Sequence, residues 1–253
     1  MNYKYIFKVE TIDKEEQTKE YENITEIDIE DKDKDKYFEV AFKLDEERAD
    51  RIENFFVKIN NNFKVIQINK EDSSIYNIDK IIKGWKILKK EAILNIDIPA
   101  IVDLILDNAK FYENEEFLTI LLKNYNIMPF LFLLDFKDLS KSNCKNLKLY
   151  NLIFDSELNF DLSFNFEEEK SNKGILRFVG KEAKTFDTTP LRQIIKKEYN
   201  IAPGTPFSLE LGIEGNYVLE NNVIKSFKAV ITINCPKVMK KIATFELLEL
   251  KNE

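Results

Sequence analysis

The segment from Leu152 to Phe166 limits the fold more than any other part of the chain. Leu152, Phe154, Leu158, Phe160, Leu162, Phe164 and Phe166 fall on alternate positions, with Asp155, Glu157, Asn159, Asp161, Ser163 and Asn165 between them. Side chains alternate across a strand with period two, so the pattern specifies extended chain with one apolar and one polar face. Ser156 is the one even position out of series. Either a turn falls near Asp155 to Glu157 or the stretch is one long bent strand.

The same period recurs at both ends of the chain. Tyr3, Tyr5, Phe7 and Val9 alternate with mostly charged residues, a second strand is expected over Ile24 to Ile29, and Phe38, Val40, Phe42 and Leu44 share one face of a third. Phe63 to Ile68 reads as a fourth. Beyond residue 166, strands are expected over Gly174 to Val179, Phe207 to Ile213, Val223 to Asn234 and Ile242 to Leu250.

Between these ends the period changes to that of a helix. Asp45 is a suitable N-cap, with Glu46 and Glu47 in the first turn and Ile52, Phe55, Phe56 and Ile59 recurring at helical spacing to about Asn60. Ile78, Ile81, Ile82, Trp85 and Leu88 form a stripe over Asn77 to Ala92, interrupted by Gly84. Further helices are predicted from Pro99 to Phe111 and from Asn114 to Asn124. Thr189 caps and Pro190 opens a later one, with Leu191, Ile194, Ile195 and Tyr199 inward, and Pro203-Gly204 then makes a turn. The short apolar run Met128 to Phe136 fits a buried helix or a buried strand equally well.

The expected fold class is therefore α+β: mainly antiparallel strands at both ends of the chain with a helical middle segment. Two regions are expected, 1–143 as β-β-β-α-β followed by helices and 144–253 as antiparallel β with one inserted helix, and the two are allowed to share one core. A chain of 253 residues buries roughly 70–75% of its unfolded surface and needs neither metal nor disulfide to hold a core.

Missing residue types remove much chemistry. The chain contains no histidine, which rules out Ser-His-Asp and Cys-His catalysis, His-ligated metals and imidazole proton shuttling within it. Its six glycines make no dinucleotide fingerprint. The nearest approach to a phosphate loop, Gly174 to Lys181, has five residues between its glycines and Glu182 where Ser or Thr would hold magnesium. Asp31-Lys32-Asp33-Lys34-Asp35 opens like a calcium loop, but Lys36 stands where glycine is needed and Phe42 where a bidentate Glu is needed, so a solvated loop is expected. Cys144 and Cys235 stand far apart without partners for a metal set and are read as reduced thiols. No cofactor is expected.

Two constellations remain as candidate sites. Phe130, Phe132 and Phe136, in a run with little polar alternation, mark a possible contact with another protein chain; the alternative is core. Lys80, Lys83, Lys86 and Lys90 lie roughly opposite the apolar stripe of their helix and form a possible basic face, which solubility alone also produces. The pair Asp103/Asp107 and the trio Asp155/Glu157/Asp161 read as solvated surface, because no motif supplies further ligands. The aromatics of 152–166 sit among leucines rather than basic residues and read as core, not as a base-stacking platform.

With a formal charge of -7, nucleic acid is an unlikely partner. The N-terminus lacks the apolar stretch of a signal peptide, and the longest apolar run falls far short of the roughly 20 residues of a membrane span, so no transmembrane segment and a cytoplasmic location are expected. The residues favour a non-enzymatic protein-binding or assembly-subunit protein, its partner identical or different. One alternative is an enzyme using carboxylate, lysine or magnesium-type chemistry; the other is a nucleic-acid or membrane-surface binder acting through the basic helix.

Overall fold

Antiparallel pairing of strands with one apolar face organises the chain, as a computed structural model shows for residues 1–13, 18–33, 36–43, 51–135, 137–142, 145–154, 156–169, 173–202, 204–221 and 223–250. Strands lie at both ends and helices in the middle, with sheet dominant. The chain divides into two units, one comprising Met1–Tyr3 and Thr25–Tyr125, the other Lys4–Ile24 and Asn126–Glu253. No helix among the described residues is long and apolar enough to cross a membrane.

The division falls within the first two strands, β1 (Asn2–Asp13) and β2 (Thr18–Asp33). In the first unit β2 pairs with β3 (Tyr37–Phe42); α1 (Arg51–Asn62) follows, and β4 (Val65–Asn69) pairs with β3. Val40 faces Ile29 on one side and Ile66 on the other, so the alternation expected of these strands closes into cross-strand apolar pairs. Asp31 and Lys32 lie within β2 rather than in a loop. Asp31 pairs with Lys70 at 2.7 Å and Lys32 with Glu30, which gives the tract a structural use of its charges. Leu44 and the expected cap Asp45 lie outside the described residues.

Three further helices follow in this unit: α2 (Ile78–Asn95), α3 (Pro99–Tyr112) and α4 (Glu115–Lys123). Phe55 of α1, Trp85 and Ala92 of α2 and Ile105 of α3 build a core, with the Tyr112 ring tilted against Trp85 at 4.4 Å. Gly84 interrupts the stripe of α2 because the Asn62 side chain occupies the space a Cβ would need, donating from Nδ2 to the Ile81 carbonyl at 2.9 Å. Asn114 caps α4 by accepting from the N–H groups of Glu116 and Phe117.

The second unit begins its helical part with α5 (Met128–Leu131), followed by β5 (Leu134–Asp135) paired with β6 (Asp138–Ser142). β7 (Asn146–Tyr150), β8 (Glu157–Glu169), β9 (Lys173–Glu182), α6 (Thr189–Glu198), β10 (Glu210–Glu220), β11 (Val223–Cys235) and β12 (Met239–Glu249) complete it. Here the strands run in the order β1-β12-β11-β10-β9-β8-β7. Each sequential pair from β7 to β9 and from β10 to β12 is an antiparallel neighbour, and β9 pairs with β10 across the inserted α6.

Several local expectations change. The alternation from Leu152 is a turn followed by a strand, not one bent strand: β7 ends at Tyr150, Asn151 and Phe154 take left-handed backbone (φ 61° and 46°), and β8 starts at Glu157. Leu158, Phe160 and Leu162 are core, whereas Phe166 is exposed and lies over the Gly174 backbone. At α6 the cap-like bond comes from Asp187, whose carboxylate accepts from the Thr189 N–H at 2.9 Å, and Thr189 is already the first helical residue. Phe207 stands outside β10. That strand instead extends past Gly215, where the Phe178 ring fills the place of a side chain.

Candidate functional site

The run Met128 to Leu134 is folded inward. Phe130 is fully buried, its ring 5.0 Å from Phe227 and 4.8 Å from Phe245, and its carbonyl accepts from the Tyr217 hydroxyl at 2.8 Å. Phe132 is half-buried, and Phe136 lies outside the described residues. The chain's own strands cover Phe130, so its ring presents no free surface to a partner.

Lys80, Lys83, Lys86 and Lys90 are exposed on α2, opposite Ile81 and Trp85, which are buried. Among the described residues none of the four is in an ion pair, whereas Lys89 of the same helix reaches Glu113. Ile87 and Leu94 lie among them, 69% and 70% exposed.

Carboxylates assemble no metal site: among the described residues no group of three or more ligating side chains converges. Asp103 and Asp107 are both exposed, Glu157 pairs with Lys148 at 3.1 Å, Asp161 accepts from the Lys184 N–H, and Asp155 lies outside the described residues. Cys144 also lies outside them. Cys235 is buried, and burial pushes its thiol up to about 11 against the opposing pull of the Arg192 charge. A thiol raised from 9.0 to about 11 holds about a hundredfold less thiolate near neutrality. In a Cys144→Ser background, native Cys235 should therefore react with iodoacetamide far more slowly than the urea-unfolded chain; equal rates would place the thiol at the surface.

One surface was not legible in the sequence. α4 is apolar on both sides: Leu118 and Leu122 are buried, while Phe117, Ile120 and Leu121 face outward, Phe117 at 51% exposure. On α3, Leu104 and Phe111 stand two turns apart on one side, both exposed, and Phe111 meets Phe117 edge-on at 5.9 Å. These five side chains form an apolar face across two helices. Helical spacing located both helices but could not say which of two apolar faces points inward.

In the second unit, a cavity of about 690 Å³ opens between α6 and the segment Thr205–Phe207. Arg192 spans it, donating from Nε to Thr188 Oγ1 at 3.2 Å and from Nη1 to the Phe207 carbonyl at 2.8 Å, with its guanidinium 5.5 Å from the Phe207 ring centre. Lys196 lies 5.9 Å from the same ring, and Lys197 also lines the cavity. No family model matches the chain, and no curated protein matches it.

Proposed function

We propose that this chain is a non-enzymatic protein that binds another protein chain, identical or different, through the outer face of α3 and α4. The observation that carries the reading is the apolar cluster Leu104, Phe111, Phe117, Ile120 and Leu121. A solvated helix nine residues long normally carries polar residues on its outer side, and α4 carries Phe117, Ile120 and Leu121 there instead. Contiguous exposed apolar groups of this kind mark contact surfaces, and aromatic anchors contribute most of the affinity in such contacts. Exposed Asp103, Asp107, Glu115 and Glu116 supply a polar rim.

The experiment is a charge placed in the middle of the face. Phe117→Asp should weaken association by roughly 1–4 kcal/mol while leaving the thermal melt close to that of the wild type. Solution mass by light scattering, together with recovery of any co-purifying chain, reads the association. A wild type that is monomeric at every concentration and holds no partner that the variant loses would remove this reading. The bare lysines of α2 support a second one, contact with an anionic surface, which the charge of -7 opposes at long range.

A further inference from the structure

We propose that the cavity between α6 and Thr205–Phe207 binds a small phosphorylated molecule with an apolar or aromatic body. This goes beyond the protein-binding reading and does not depend on it, since every residue used belongs to the second unit. The argument begins with Arg192. It is half-buried, and among the described residues its contacts are to neutral groups: a hydroxyl, a carbonyl and an aromatic ring. A guanidinium has about five N–H donors, and two are used here, so about three remain to be satisfied. Taking a cation partly out of water without a counter-ion is costly, and an anionic ligand supplies the missing charge.

The rest of the lining fits the same ligand. Lys197 adds a second, exposed cation and Lys196, beside the Phe207 ring, a third, with Gln193 and the Thr189 and Thr205 hydroxyls nearby and no carboxylate among the described lining residues. On a chain of net charge -7, that local excess of positive charge selects an anion. Three cations around a fork held in place by two hydrogen bonds match a dianionic phosphate better than a single carboxylate. Ile201, Pro206 and Phe207 add an apolar wall, and the volume suits a small organic molecule.

Isothermal titration of the purified chain with phenyl phosphate, inorganic phosphate and benzoate tests the assignment. Phenyl phosphate should bind at one site, about tenfold or more tighter than either inorganic phosphate, which lacks the ring, or benzoate, which lacks the second charge. Arg192→Gln should weaken phenyl phosphate about tenfold or more, and Phe207→Ser should remove its advantage over inorganic phosphate. Lys197→Gln, at an exposed position, should weaken binding without touching the fold and carries the test if Arg192→Gln does not fold. No saturable binding of phenyl phosphate at millimolar concentration, or affinity unchanged by Lys197→Gln and by any folded Arg192 variant, overturns the proposal. A phosphotyrosine peptide binding more tightly than phenyl phosphate overturns it in favour of a peptide ligand.

Discussion

Replacing Phe130 with alanine should lower the unfolding free energy by about 3–5 kcal/mol and leave the solution mass of the folded chain unchanged. The size follows from where the ring sits. Phe130 is fully buried between Phe227 of β11 and Phe245 of β12, and Phe227 in turn contacts Tyr217 of β10 at 4.8 Å. The series continues through Phe178 of β9 to Phe164 of β8 on one side and from Phe245 to Phe7 of β1 on the other. One helical turn thus plugs the centre of an aromatic row that crosses the strands. Truncation removes the transfer energy of the ring and leaves a cavity that flanking strands, fixed by their ladders, close only in part.

The Tyr217 hydroxyl donates to the Phe130 carbonyl, a main-chain atom that the substitution keeps, so the loss should be one of packing alone. Tyr217→Phe separates the two contributions, since it deletes the hydroxyl while the Phe130 carbonyl keeps the Leu133 N–H at 3.1 Å, at a cost of about 0.5–1.5 kcal/mol. Urea denaturation measures both variants. An alanine variant with wild-type stability and a changed solution mass would return this segment to the role of partner contact.

Much of the fold was legible because one buried face imposes period two. Val40, Phe160, Leu162, Ile231 and Ile233 are core where their alternation placed them. The first half of β2 was not legible: Thr18 to Asn23 are exposed, and a strand segment wet on both faces carries no apolar alternation. The turn at Asn151 to Ser156 was hidden for a different reason. Leu152 and Phe154 of the turn share the even phase of Leu158 and Phe160 in β8, so the alternation of the strand extends back through residues that are not part of it. The candidate sites show the same limit. Composition revealed that Met128 to Leu134 needs a cover but not that Phe227 and Phe245 provide it, because those residues lie about a hundred positions away. The Arg192 cavity depends on a turn bringing Phe207 back to α6, a contact that no local spacing announces.

Alkaline solution should destabilise the folded chain steeply, beginning near the ordinary phenol value of 10.0. Burial raises the hydroxyls of Tyr5 and Tyr217 well above it, and also raises Tyr112, Tyr125 and Tyr199; burial with the Glu157 carboxylate beside it pushes Tyr150 up to about 12. In the window between the ordinary value and the raised one the folded chain keeps protons that the unfolded chain has lost. Stability then falls as pH rises, by about 1.36 kcal/mol per unit for each such group, or roughly 2.7 from Tyr5 and Tyr217 together. Cys235, held at about 11 against 9.0, adds to the loss from a lower starting pH. Lys123 and Lys241 act in the opposite sense, because burial lowers both, and unfolding lets them take up protons. Their stabilising effect grows only up to the ordinary lysine value of 10.5 and is constant beyond it, so the phenols dominate above that point. Urea midpoints at about pH 8 and about pH 11 should differ by several kcal/mol in the derived free energy, and phenolate absorbance should show a late, cooperative step coincident with loss of far-ultraviolet dichroism. Ten tyrosines that titrate together at the ordinary value while the dichroism stays native would show that Tyr5 and Tyr217 are open to solvent, and would take the central aromatic row apart.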